Sequence, residues 1–125
     1  MSILSALLFF HAGLFRAGLF ITVIIAIWGL VIYIRKLPPS GGFRSTLVLT
    51  EGLFIVQGLV GIAMFLGGRR PHDGLHWLYG ILLVIVLPIA ASYTSGRDPR
   101  REPLVYGIAG LFMAGLTIRA FTTGA

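Results

Sequence analysis

The sequence contains no cysteine, which excludes disulfide bonds, thiolate nucleophiles and cysteine-ligated iron–sulfur clusters. Charge is also scarce, because only 11% of the 125 residues are charged, against about 25% in an average soluble domain. The chain is instead 57% hydrophobic and has a mean hydropathy of +0.95. This composition excludes an ordinary soluble domain and predicts an integral membrane protein.

Long hydrophilic segments are missing as well. Four apolar runs cover about residues 14–34, 47–66, 75–94 and 104–121, each close to the roughly 20 residues that cross a hydrocarbon core. The connections between them leave no room for a soluble catalytic domain, so we assign no catalytic residue and expect no enzyme activity from the isolated chain. The pattern predicts an all-α fold, a single antiparallel four-helix transmembrane bundle over residues 1–125.

The first apolar run is longer than one membrane crossing. As one helix, Ile3 to Ile34 would extend about 48 Å, whereas a hydrocarbon core is about 30 Å thick. We therefore expect the first ten residues to form an interfacial segment along the membrane surface, with the span starting at Leu14. Arg16 then lies at the interface, where its side chain reaches water. A strongly tilted helix is the alternative.

The distribution of cations predicts the orientation. The first and third connections, residues 35–46 and 95–103, hold six cations, whereas the middle connection holds Arg69 and Arg70. Lys and Arg accumulate in cytoplasmic loops, so we expect both termini on the extracytoplasmic side of a bacterial-type plasma membrane. The net charge of +6 then reflects topology and contact with the lipid bilayer, not nucleic-acid binding.

Polar residues gather at the predicted outer end of the bundle. Spans one and three run in the same direction, so His11 and His76 can lie at a similar depth on different helices. This end also holds most of the other polar and aromatic residues that could bind a ligand. The full set is His11, Arg16, Arg69, Arg70, His72, Asp73, His76, Trp77, Tyr79 and Arg119.

A haem b or another tetrapyrrole is the first hypothesis for this cluster. His76 would be an axial ligand, and His11 a second one. Gly80 lies one helical turn below His76 and leaves space for a flat macrocycle, while arginines at the rim pair with its carboxylates. The cofactor-binding candidates are therefore His11, His76, Tyr79, Arg16 and Arg119.

A quinone is the second hypothesis. Histidine, tyrosine and arginine at a membrane interface can hydrogen-bond a quinone carbonyl, and histidine can exchange a proton with it near neutral pH.

A metal ion is the third hypothesis. His72 and His76 are four residues apart, and on a helix this spacing points both imidazoles the same way. Asp73 or His11 would complete the ligand shell. Pro71 and Gly74 weigh against a helix that continues through His72.

Two further polar residues lie inside the second span. Glu51 and Gln57 form a possible proton path toward the histidines, because ionisable groups within a membrane are functional candidates. Such a path would suit a small homo-oligomeric transporter or channel. In the structural alternative, Glu51 pairs with Arg44 or reaches water near the cytoplasmic edge, and Gln57 bonds to a neighbouring helix.

The helix count and the motif HWLYG, from His76 to Gly80, resemble small four-helix membrane anchors and cytochrome b-type subunits of electron-transfer complexes. The resemblance implies a small integral subunit of a respiratory or photosynthetic complex, with other membrane subunits as partners. The transporter or channel described above and a purely structural scaffold subunit are the alternatives.

Overall fold

The computed structural model describes residues 2–124, so Met1 and Ala125, the two ends of the predicted domain, lie outside the described residues. Four helices follow one another: α1 (Ile3–Ile34), α2 (Gly41–Leu66), α3 (Leu75–Thr94) and α4 (Glu102–Gly124). Each is long and apolar enough to cross a membrane. The predicted all-α four-helix fold is therefore confirmed, and the chain is an integral membrane protein whose apolar helix faces contact lipid.

The helices form a four-membered bundle in chain order. Each helix packs against its neighbours in sequence, and α4 closes the ring by packing against α1. The contact between α1 and α4 is the most extensive and the one between α2 and α3 the least. We call the end that carries the α2–α3 connection the histidine end, and the end that carries the other two connections the basic end.

Glycines explain the close contact between α1 and α4. A Cβ atom at Gly29 would lie 2.6 Å from the carbonyl oxygen of Pro103 and 2.9 Å from the main chain of Gly107. A Cβ atom at Gly110 would lie 2.9 Å from the backbone nitrogen of Ala26. Helix association within a membrane depends on such close backbone approach, because burial of apolar side chains gives little gain against lipid.

Buried threonines satisfy their hydroxyl groups within their own helices. The hydroxyl of Thr22 donates to the carbonyl of Gly18 at 2.9 Å, and that of Thr117 donates to the carbonyl of Met113 at 2.7 Å. This back-bonding to the preceding turn removes the cost of a free hydroxyl in an apolar interior. These polar side chains therefore need no partner on another helix.

The structure differs from the expectation of a separate surface segment at the N-terminus. Helix α1 is continuous from Ile3, and its first turns pack on the bundle. Leu4 lies against Gly67 at the end of α2, and the ring of Phe15 stacks on Phe121 of α4 with centroids 4.6 Å apart. These contacts hold the segment in line with the rest of α1.

Helix α2 also starts earlier than the apolar pattern indicated, at Gly41 instead of near residue 47. The hydroxyl of Ser40 accepts a hydrogen bond from the backbone N–H of Phe43 at 3.1 Å. Serine at this position satisfies a free N–H group of the first turn and so begins the helix. Pro103 lies in the first turn of α4, where its missing N–H group removes no intrahelical hydrogen bond.

Candidate functional site

A cleft of about 600 Å³ lies at the histidine end between α2 and α3, with walls from all four helices. Its volume falls within the range of about 300–1,000 Å³ typical of small-molecule sites. Its walls are mostly apolar, and several wall residues are also exposed on the outside of the bundle. These are Ile55, Leu59, Ile62, Ile81 and Ile85. The cleft therefore opens sideways, toward the position of the lipid.

His76 lies in the first turn of α3 and lines this cleft. Its Nδ1 atom is 2.7 Å from the carbonyl oxygen of Ala120 in α4. A carbonyl oxygen can only accept, so Nδ1 carries a proton, and in the neutral imidazole Nε2 is then the nitrogen with the free lone pair. Within residues 2–124, Nε2 has no hydrogen-bond partner. His76 thus offers one free nitrogen acceptor at the cleft.

The C-terminal turn of α4 holds His76 in place. A Cβ atom at Gly124 would lie 2.6 Å from Cε1 and 2.7 Å from Nδ1 of the imidazole, so glycine is needed there for the ring to fit. The carbonyl of Thr123 accepts a hydrogen bond of 2.8 Å from the backbone N–H of Asp73, just before α3. These contacts fix both the position and the orientation of the imidazole.

His11 approaches from the opposite side of the bundle, on α1. A Cβ atom at Gly61 of α2 would lie 3.4 Å from Cε1 of His11, so this glycine makes room for the ring. The side-chain N–H of Gln57 donates to the backbone carbonyl of His11 at 2.8 Å. Nδ1 of His11 and Oε1 of Gln57 are both shielded from water and lack a partner in the described part of the chain. A buried polar atom without a partner typically costs about 1–3 kcal/mol.

The two imidazoles meet across the bundle. Their ring centroids are 6.1 Å apart, with 62° between the ring planes. The structure thus brings together His11 and His76 from two helices, α1 and α3, that are diagonal in the ring of four. The pair lies within the cleft, and Gln57 is next to it.

Arg69 and Arg70 stand at the mouth of the cleft, on the α2–α3 connection. The chain turns sharply after α2 because Gly68 adopts a φ of +96°, a left-handed conformation that favours glycine. The guanidinium carbon of Arg70 lies 4.6 Å from the centroid of Phe65. The Phe65 ring in turn packs edge-on against Trp77, at 5.3 Å.

Three of the predicted cofactor-binding residues lie away from the cleft. Arg16 and Arg119 are exposed and do not line it, and neither does Tyr79. The guanidinium of Arg119 lies 5.8 Å from the ring centroid of Tyr79, so these two residues join α4 to α3. These three residues lie toward the same end of the bundle as the cleft, but the rotation of their helices directs their side chains away from it.

The helical geometry assumed for a metal site at His72 and His76 is not formed. Helix α3 begins at Leu75, so His72 lies outside it in the connection. The Oδ1 atom of Asp73 accepts a hydrogen bond of 3.0 Å from the backbone N–H of Leu75, the first residue of the helix. Among residues 2–124, no three His, Cys, Asp or Glu side chains are close enough to hold a metal ion together.

The pairing of Glu51 with Arg44 is not formed either. Arg44 instead makes two hydrogen bonds of 3.2 Å to the carboxylate of Glu102, which joins α2 to α4 at the basic end. Glu51 does not line the cleft, and its Oε1 atom is buried without a partner within residues 2–124. Gln57 does line the cleft and bonds to the neighbouring helix α1. The two members of the suggested proton path are therefore not joined through the cleft.

Sequence reasoning assigned Arg119 of α4 to the site but missed the two α4 residues that contact His76. The carbonyl of Ala120 and the missing side chain of Gly124 fix the His76 ring, but neither has a motif that marks it. A glycine near a helix end indicates a helix stop more often than a contact. Comparisons with protein-family models, curated proteins and solved structures give no match for this chain.

Proposed function

We propose that this protein is a small integral subunit of a membrane electron-transfer complex that binds one tetrapyrrole of the haem b type in the α2–α3 cleft. The observation that carries the proposal is the 2.7 Å hydrogen bond from Nδ1 of His76 to the carbonyl of Ala120. Histidines that bind a metal almost always donate their other ring N–H to a carbonyl or carboxylate, which fixes the tautomer and the ring orientation. His76 already has this arrangement.

His11 is placed to hold the same ligand as His76, because both imidazoles lie in one cleft. If both held one metal ion, each metal–nitrogen bond would be about 2 Å long and the ring centres would lie roughly 6 Å apart. The His11 and His76 centroids are separated by 6.1 Å. The partnerless Nδ1 of His11 adds a reason for a ligand at this place, because coordination or a hydrogen bond would satisfy a buried nitrogen.

The rest of the cleft suits a flat apolar ring. Phe15 and Phe121 stack at its α1–α4 wall, and no atom lies within 4 Å of a Cβ atom at Gly80 on α3. A bound haem supplies one-electron transfer. The chain would hold the ring through His76 and His11, orient both imidazoles and keep water from the cleft.

A quinone is less well supported by the same geometry. A quinone carbonyl needs hydrogen-bond donors, whereas His76 presents a lone pair at Nε2 because its proton is committed to Ala120. The amide N–H of Gln57 is likewise committed to the His11 carbonyl, which leaves its Oε1 acceptor. A transporter using Glu51 and Gln57 is also less favoured, since Glu51 lies outside the cleft.

The proposal includes an orientation. The basic end carries Arg35, Lys36, Arg44, Arg97, Arg100 and Arg101, and the positive-inside rule assigns it to the cytoplasm. The haem site and both termini are then on the extracytoplasmic side of a bacterial-type plasma membrane. The apolar outer faces of the helices suit packing against other subunits as well as lipid.

The test is haem binding by the full chain purified in mild detergent. We expect haemin to bind with 1:1 stoichiometry and to give a Soret band of a histidine-ligated haem. His76→Ala should abolish that band, and His11→Ala should convert the spectrum from six-coordinate to five-coordinate. His72→Ala is the matched control, because His72 is exposed and outside the helices.

Two results would refute the proposal. One is wild-type protein that stays colourless with excess haemin while circular dichroism shows a folded bundle. The other is a Soret band that survives in both histidine variants. Copurification with other redox subunits from the native membrane tests the assignment to an electron-transfer complex, and its absence would leave a free haem protein.

A further inference from the structure

We infer that Arg69 and Arg70 bind the carboxylates of the ligand, so that the cleft selects a flat apolar ring with acidic groups along one edge. This inference rests on the proposed function, because it concerns the polar end of the same ligand. Arg69 and Arg70 replace Arg16 and Arg119 as the proposed cationic residues of the site, because Arg16 and Arg119 lie outside the cleft.

Among residues 2–124, no acidic side chain pairs with the arginines at the mouth of the cleft. Within residues 2–124, the one ion pair is that of Arg44 with Glu102 at the basic end. Asp73 is the acid closest in sequence to the two mouth arginines, and its Oδ1 accepts from the backbone N–H of Leu75. An anionic ligand would supply the missing charge, and arginine suits carboxylates because its N–H groups match their two oxygens.

The local structure directs both arginines to the cleft. The left-handed Gly68 turns the chain back immediately after α2, and the backbone N–H of Arg69 donates to the carbonyl of Met64 at 3.0 Å. The face of Phe65 attracts the Arg70 guanidinium at 4.6 Å and limits its motion. Arg70 forms no ion pair with the described residues, so its guanidinium is available to an anionic ligand.

The position of the arginines also has a simpler explanation. Cations just beyond the C-terminus of a helix interact favourably with its dipole, and this would stabilise α2 without any ligand. The two explanations differ in one respect. The dipole effect is indifferent to the acidic groups of a ligand, whereas carboxylate binding depends on them.

The experiment therefore compares two ligands that differ only in charge. The full chain in mild detergent is titrated with haemin and with haemin dimethyl ester, whose carboxylates are blocked, and binding is followed by absorbance. In the R69Q/R70Q variant the affinity for haemin should fall about threefold to tenfold, the range expected for two solvent-accessible ion pairs. The affinity for the ester should not change. Added salt should weaken wild-type binding of haemin more than binding of the ester.

Two variants serve as controls. R69K/R70K keeps the charge and should keep most of the preference for haemin. Arg97→Gln removes a guanidinium that also lies over an aromatic ring, 4.4 Å from the centroid of Tyr93, but at the basic end. It should leave both affinities unchanged.

The inference is overturned if R69Q/R70Q loses the same affinity for both ligands or loses none. The inference is also overturned if the wild-type protein binds haemin and its dimethyl ester with equal affinity. These outcomes are distinguishable from failure of the proposed function, in which the folded wild type binds neither ligand and the carboxylate inference is refuted with it.

Discussion

The contact between α1 and α4 predicts that Gly29→Ala destabilises the bundle. The new Cβ atom would lie 2.6 Å from the carbonyl oxygen of Pro103 and 2.9 Å from both Cα and N of Gly107. All three are main-chain atoms, which cannot rotate away as the end of a side chain can. The two helices must therefore move apart along the most extensive interface of the bundle.

The size of the effect follows from two opposing terms. Overpacking a close contact costs about 1–3 kcal/mol. Replacing glycine by alanine within a helix gains up to about 1 kcal/mol. With a helix gain near 1 kcal/mol, the net expectation is a decrease of about 0–2 kcal/mol in the free energy of unfolding relative to the wild type.

Gly13→Ala is the matched control, because Gly13 is on the same helix and no atom lies within 4 Å of a Cβ atom there. It should leave stability unchanged or raise it by up to about 1 kcal/mol. Both variants can be unfolded with SDS in mild detergent and followed by circular dichroism. If Gly29→Ala proved as stable as Gly13→Ala, the close backbone contact would be refuted.

Three further predictions test the site and the basic end. Gln57→Leu removes the hydrogen bond to the His11 carbonyl, worth about 0.5–1 kcal/mol, but also removes the buried Oε1 atom that lacks a partner among the described residues, which costs about 1–3 kcal/mol. The free energy of unfolding should therefore stay unchanged or rise by up to about 2 kcal/mol in the same assay; a clear loss of stability would mean that Oε1 is satisfied in the bundle. Gly80→Phe fills the cleft and should weaken haemin binding about tenfold or more in the absorbance titration, whereas Gly52→Phe, at an open position outside the cleft, should not. Equal affinities of these two variants would place the ligand elsewhere. Arg44→Gln removes an exposed ion pair and should change stability by less than about 1 kcal/mol; a larger loss would mean that the pair is shielded from water.

The positions of the candidate haem-binding residues could be predicted only in part from the sequence. Chain direction and span order were enough to predict that His11 and His76 lie at the same end of the bundle. They could not predict which way each helix is rotated about its axis, because a span that is apolar on all sides has little hydrophobic asymmetry. Tyr79, Arg16 and Arg119 share that end but lie outside the cleft, whereas Arg69 and Arg70 line it.

The sequence by itself determined the class of protein, the number of helices and their antiparallel order. These properties depend on local features. Runs of about 20 apolar residues are long enough to cross the membrane, whereas charged connections that contain proline stay outside its hydrocarbon core. Tertiary structure alone decided the tautomer of His76, the room that Gly124 leaves for its ring, and the partner of Arg44. Each depends on contacts between residues far apart in the chain, and their geometry is set only when the helices pack.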